Sequence, residues 1–326
     1  MNPVLKIVLQ RLGLGVLTLI AVSAIIFSAI QMLPGDFASA ILGQSATPET
    51  VKAFQHQIGL DKPAPQRYWE WMAGVAHGDF GSSFSSAGSL GGGHDRAVTD
   101  IIVPRLKNTL ILASLAAVIA VPLALLLGVL AALYRNSFFD RFVNSFSLAW
   151  ISFPEFFIAY ILMLYLSVKF QFLPSLASVS SDSGIGDYLV KCALPAMTLV
   201  LVTLAHMMRM TRTALVNLMS TPYVEMARLK GASRFRLICF HALPNAWAPI
   251  ANVIALNLAY LIVGVVIVEN VFVYPGIGQL MVSAVASRDI PVVQACALIF
   301  AATYILLNLT ADIIGIVTNP KLLHRR

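Results

Sequence analysis

The run NTLILASLAAVIAVPLALLLGVLAAL, residues 108–133, decides the fold. Its 26 residues carry no charge, and a helix of that length, rising about 1.5 Å per residue, exceeds the ~30 Å hydrocarbon core of a bilayer. The apolar residues show no alternation with polar ones, as a barrel strand would require, so a helix is the spanning form. Five more runs long enough to span lie at roughly 10–32, 146–168, 194–214, 246–269 and 292–317. Composition agrees: 58% of the 326 residues are hydrophobic, 11% are charged, and the mean hydropathy is +0.82. A soluble domain carries about a quarter charged residues. The expected fold class is an all-α integral membrane protein with six transmembrane helices.

The first run is flanked by Lys6 and Arg11, as a signal peptide would be. Its apolar part, Leu12 to Ile30, is long for such a segment, and no Ala-x-Ala site precedes Leu33-Pro34-Gly35. It is read as a retained helix. Lys and Arg in short loops set the direction. Thirteen of the 22 fall on the side of the N-terminus, against Lys169, Lys191 and Arg288 in the short loops opposite. Both termini are therefore expected in the cytosol. The net charge of +7 is assigned to cytosolic loops held against anionic lipid, not to nucleic acid. Cys192, Cys239 and Cys296 form no disulfide or metal pattern. Three parts follow: residues 1–33 with the first helix, an outer loop or cap at 34–107, and a core at 108–326 with a cytosolic loop at 215–245.

In the outer loop, Thr47 is expected to cap a short helix, with Pro48 in its first position, Thr50 three residues after the cap and Gly59 at its end. A second short helix is expected from Ala64 to Val75, then a flexible Ser/Gly tract through Gly93.

Between the fourth and fifth spans lies a basic island, Thr221-Pro-Tyr-Val-Glu-Met-Ala-Arg-Leu-Lys-Gly231, continuing to His241-Ala-Leu-Pro-Asn245. Thr221 and Pro222 suit a helix start, and Glu225 suits its positive end. Arg228 and Lys230 suit the negative end, and Gly231 suits a left-handed stop. Ser233 is expected to cap a second helix from Arg234 to about His241, with Pro244 and Pro249 shaping the start of the fifth span. Tyr223, Ala227 and Lys230 fall along one side of the first helix. An ordinary connector keeps basic residues for topology alone, but it has no need of signals at both ends of so short a helix. A docking element does.

The island resembles the "EAA" loop of ABC importer permeases: Glu225-Met-Ala227, Gly231, then Leu243-Pro244, with Met226 a departure at the second place. Other blocks extend the resemblance to the dipeptide/oligopeptide/nickel permease family, first-permease type with a long outer loop. They are Leu33-Pro-Gly-Asp36, Gly59-Leu-Asp-Lys-Pro63, Gly78-Asp-Phe-Gly81, Asn108-Thr-Leu110, Glu269-Asn-Val-Phe-Val-Tyr-Pro-Gly276 and Arg288-Asp-Ile-Pro-Val-Val293. The resemblance implies a type I importer permease in a bacterial inner membrane. It implies a second homologous permease subunit, two cytosolic ATP-binding subunits that use ATP and Mg, and a periplasmic or lipid-anchored substrate-binding protein. Tyr223, Glu225, Ala227, Arg228, Lys230, Gly231, Leu243 and Pro244 are then the residues that couple to the ATPases. The chain lacks a Gly-x-x-x-x-Gly-Lys-Ser/Thr phosphate loop, so no catalytic residue or bound cofactor is expected on it. The implied cargo is a di- or oligopeptide. Nickel chelates, glutathione, opines and oligosaccharides travel through relatives.

Several intramembrane groups stay outside this reading. Glu155 follows Pro154 and is placed near the cytosolic end of the third span. Asp312 is expected to join two helices, and Glu269-Asn270 to anchor the turn at Tyr274-Pro-Gly276. His206, Met207, Met208 and Met210 are read as packing, not as a metal path. Arg209 and Arg212 are topology anchors, expected also to pair with acidic groups on a partner. No acidic relay or inverted repeat supports a secondary transporter.

Overall fold

The computed structural model describes residues 3–32, 46–57, 61–87, 96–178 and 184–317, with Ser39, Leu42 and Gly59. The Leu33–Asp36 block, the Ser/Gly tract at 88–93 and the basic C-terminal end lie outside the described residues. The main helices are α1 (Pro3–Gln31), α2 (Pro48–Gln57), α3 (Ala64–Ala76), α4 (Val98–Leu133), α5 (Phe138–Ser152), α6 (Glu155–Lys169), α7 (Ile185–Met219), α8 (Pro222–Leu229), α9 (Arg234–Val271), α10 (Ile277–Ala286) and α11 (Ile290–Val317).

Among the described residues, five helices, α1, α4, α7, α9 and α11, are long and apolar enough to cross a membrane. The sixth expected span is not one helix. Pro154 has no N–H and holds Phe153 extended at φ −92°, ψ 137°, so α5 stops at Ser152. α6 then leaves at 104°, and the pair makes a sixth crossing only when taken together. The expectation of an unbroken helix over 146–168 is corrected on that account. The second elbow helix is also not separate: Arg234 to Val271 is one helix of 38 residues. A π-helical stretch at Leu237–Ala242 precedes Pro244, whose missing N–H leaves the Phe240 carbonyl without its regular donor.

The described residues fall into two compact units. The first includes Ile111–Tyr274 and described parts of 1–15 and 303–326. Its core is built from small residues on α4 meeting α5 and α7: Ala124, Ala131, Val143, Leu204, Met207 and Met208. A Cβ on Gly128 would stand 2.9 Å from the Met208 carbonyl oxygen, so glycine permits this close crossing. A second cluster joins Ala132 and Leu215 to Ala242, Ala246 and Ile250. Arg11 and Asp312 join α1 to α11 by an ion pair of 3.0 Å.

The second unit holds Val16–Leu110 and Pro275–Ala302. Val98, Ile102, Ile277, Val292 and Cys296 form its core. The Thr47 hydroxyl accepts from the Thr50 N–H at 3.2 Å, and Thr50 Oγ1 accepts from the Thr47 N–H at 2.8 Å. This is the reciprocal cap expected at the start of α2. Gly59 follows with φ +70°. α3 lays Tyr68 and Trp71 on Phe27, with ring centroids 5.5 and 6.2 Å away. Lys62 and Gln66 donate to Glu70 and hold its carboxyl below the usual range.

Three family-like blocks meet in this unit. Asn108 donates to the Pro275 carbonyl at 2.9 Å, and Thr109 accepts from the Ile277 N–H at 2.9 Å. Asp289 accepts from the Phe84 N–H at 3.1 Å, the Ser85 N–H at 3.3 Å, the Ser85 hydroxyl at 2.7 Å and the Ser83 hydroxyl. One buried carboxylate thereby ties the segment 83–85 to the turn before α11.

Candidate functional site

The elbow is built as the sequence suggests in most respects. Gly231 stands at φ +81°, where a side chain is strained although nothing would touch its Cβ. Its N–H donates to the Arg228 carbonyl at 3.0 Å, and the Ala232 N–H donates to Ala227 at 3.2 Å. These bonds satisfy the end of α8 in the pattern of a left-handed C-terminal stop. Ser233 accepts from the Arg236 N–H at 3.4 Å and caps the next helix. Thr221 does not cap α8 through its side chain. Its hydroxyl donates backward to Leu218 at 2.5 Å, while its own carbonyl accepts from Val224 and Glu225. The hydroxyl has a nearer acceptor in the last turn of α7, which corrects the expected cap.

α8 rests on the π-helical stretch of α9. Val224 is its buried residue, 1% exposed, in line with buried Leu237 and Ile238. Tyr223, Met226 and Leu229 are exposed, at 42%, 56% and 77%. Three large apolar side chains spaced by three along a short helix form a ready contact stripe. Glu225 is the one acid in residues 221–236, among Arg228, Lys230, Arg234 and Arg236. Sequence reasoning named Tyr223 but missed Met226 and Leu229 as a stripe. Their spacing relative to Val224 was the available signal. Leu243 and Pro244 lie elsewhere: Leu243 packs against the Leu215–Ala246 cluster and Pro244 is exposed at the start of the regular part of α9.

Arg212 pairs inside the chain, not outward. Its Nε and Nη2 donate to the two oxygens of Asp140 at 2.5 and 2.7 Å. Asp140 is 2% exposed and also accepts from the Asn136 N–H and Asn144 Nδ2, both at 2.9 Å. This bidentate pair fastens α5 to α7 about two turns from the elbow, and gives Arg212 an acidic partner within its own chain.

Arg209 instead lines a cavity of about 630 Å³ between α6, α7 and α9. His206 and Met210 face the same space, while Met207 and Met208 are core. Glu155 lines it too, and its place departs from expectation. It lies against Gly264, so close that a Cβ there would be 2.7 Å from Oε2. Gly264 is 21 residues beyond Leu243 on α9, about 31 Å at 1.5 Å per residue, so Glu155 sits in the half of the helix remote from the elbow. Among the described residues, no group of three His, Cys, Asp or Glu is placed to hold a metal.

Comparison with known proteins adds identity. Residues 124–324 match the model for the "Binding-protein-dependent transport system inner membrane component", and residues 4–113 match that family's N-terminal model. The chain is 33% identical to a "Probable peptide ABC transporter permease protein y4tP" of Sinorhizobium fredii, over 97% of this chain and 98% of the relative. It is 35% identical to the "Glutathione transport system permease protein GsiC" of Escherichia coli, over 98% of this chain and 100% of the relative.

Proposed function

The chain belongs to the binding-protein-dependent transport system inner membrane components, the multi-pass permeases of bacterial ABC importers, and from that premise we propose that it conducts di- or oligopeptides while its elbow receives the stroke of cytosolic ATPases. The stripe of Tyr223, Met226 and Leu229 carries this reading. An exposed apolar stripe on a helix seated by Val224 and stopped at Gly231 is suited to insertion in a groove of another protein. The cations around it favour an acidic rim on that groove. Tyr223, Glu225, Ala227, Arg228 and Lys230 contact the ATPase in this reading, Gly231 sets the turn, and Leu243 and Pro244 transmit the movement into α9. ATP and Mg are used by two ATP-binding subunits. A homologous second permease completes the pore, and a periplasmic or lipid-anchored binding protein delivers solute. Both termini and the elbow face the cytosol.

The relative named for glutathione favours a second cargo, itself a small peptide. ATP-driven uptake by the assembled importer in proteoliposomes, measured with radiolabelled trialanine and with glutathione, separates the two. Met226→Glu or Leu229→Glu should abolish co-purification of the ATPases while the chain still inserts in the membrane. Undiminished co-purification with both variants would refute the docking role.

A further inference from the structure

We propose that Glu155, in the cavity between α6, α7 and α9, binds the primary ammonium group of the solute that crosses the membrane. The proposal rests on the permease reading and adds a site to it. Three observations carry it. Oε2 of Glu155 is buried and has no hydrogen-bond partner. A carboxylate held this way is costly until a cation or donor meets it. Next, the carboxylate lies against the bare backbone of Gly264, where an added Cβ would stand 2.7 Å from Oε2 and displace it. Finally, the cavity is the right size: about 630 Å³ lies within the ~300–1,000 Å³ of small-molecule sites. Its wall adds Thr198, Asn257 and Tyr260, which offer neutral hydrogen bonds, while His206 and Arg209 are the basic groups of its lining.

The cavity's arginine does not neutralise this carboxylate. Val253 and Ile254 pack against the cluster to which α7 contributes Leu204, Met207 and Met208, which sets the turn of α7 leading to Arg209 near the level of Val253. Gly264 is 11 residues further along α9, about 16 Å away by helix rise. An extended chain needs about five residues to bridge that distance at ~3.4 Å each. A di- or tripeptide therefore meets Glu155 with its amino end without reaching Arg209. The site selects for the ammonium and leaves the rest of the solute loosely specified, as a pathway that must release its cargo requires.

The test uses the full-length chain in nanodiscs of phosphatidylcholine and phosphatidylglycerol, neither of which carries a primary ammonium. Thermal-shift titrations compare trialanine with N-acetyl-trialanine. Trialanine should bind at least tenfold more tightly. Glu155→Gln should abolish that preference without weakening the acetylated peptide, and Gly264→Ala should reduce it. Ligand-free melting of each variant reports folding, and Glu155→Asp, expected to keep part of the preference, substitutes should Glu155→Gln fail to fold. A wild-type chain with no preference, or variants that keep it in full, overturns the proposal. Repeating the titration with phosphatidylethanolamine identifies a lipid source: a preference that survives supports the solute, and one that vanishes assigns the site to lipid headgroups and overturns it. Trialanine uptake by the importer without a free-amino preference in the chain defeats the site alone. A preference for glutathione over its N-acetyl form, without trialanine uptake, keeps the site and replaces the peptide cargo.

Discussion

Gly231 and Asp140 illustrate how single residues fix local structure through different physics. At Gly231 the surrounding space is empty, so the demand is conformational: φ +81° is open to glycine and costs most other residues about 1–2 kcal/mol, β-branched ones more. Gly231→Val is expected to insert in the membrane at normal levels yet lose the ATPases on co-purification. Gly231→Asn, which tolerates the left-handed region, should retain them. At Asp140 the demand is electrostatic. The carboxylate is 2% exposed and takes both arms of the Arg212 fork. Arg212→Gln strands a buried charge, and breaking such a pair costs about 3 kcal/mol or more. The double change Asp140→Asn with Arg212→Gln removes both charges and should destabilise less than Arg212→Gln alone. Thermal unfolding of the detergent-purified chain measures the difference, and a double variant worse than the single would show that the pair is not the controlling interaction.

Among elements, the sequence was most legible where local chemistry decides the outcome. The reciprocal Thr47–Thr50 cap, the Gly59 and Gly231 stops and the Ser233 cap each depend on a few adjacent residues, and all stand as read. Thr221 was misread because a cap competes with any nearer acceptor, and the Leu218 carbonyl lies one turn back in the preceding helix. The third span was misread because hydropathy sums over a proline that backbone geometry cannot pass; the apolar run continues while the helix does not. The Asp289 latch was illegible for another reason. Gly78–Gly81 and Arg288–Val293 are visible as separate blocks, yet the bonds from Asp289 reach residues 83–85, just past the first block and about 200 positions away, and no local pattern announces them. Its role is testable at this scale. Asp289→Ala removes the acceptor for Ser83, Phe84 and Ser85; Ser83 is buried, and a buried donor left unmade costs about 1–3 kcal/mol. Trypsin should then cut after Arg96 several-fold faster in the purified chain, with cleavage after Lys52, exposed on α2, changed little. Equal rates at Arg96 would mean the latch does not hold the segment.

For the whole molecule, the proposed mechanism stands or falls on sidedness, because the elbow must share a compartment with ATP. Charge in the short loops is the ground for expecting it in the cytosol, and the chain's own cysteines allow a direct check. Cys192 and Cys296 are fully buried, and Cys239 is partly exposed beside the elbow. In a Cys239→Ser background, Leu229→Cys puts a thiol at a position 77% exposed on α8, and Trp69→Cys puts one at a position 69% exposed on α3. A membrane-impermeant maleimide should label Leu229→Cys in inside-out vesicles and not in intact spheroplasts, and Trp69→Cys in the reverse pattern. Binding of the ATPases should then shield Leu229→Cys by an order of magnitude in rate while leaving Trp69→Cys untouched, since a large side chain seated in a protein groove loses solvent access and one on the other side of the bilayer does not. Labelling of Leu229→Cys from outside would place the elbow beyond the reach of ATP hydrolysis, and the exposed stripe on α8 would then have to meet an extracytoplasmic partner.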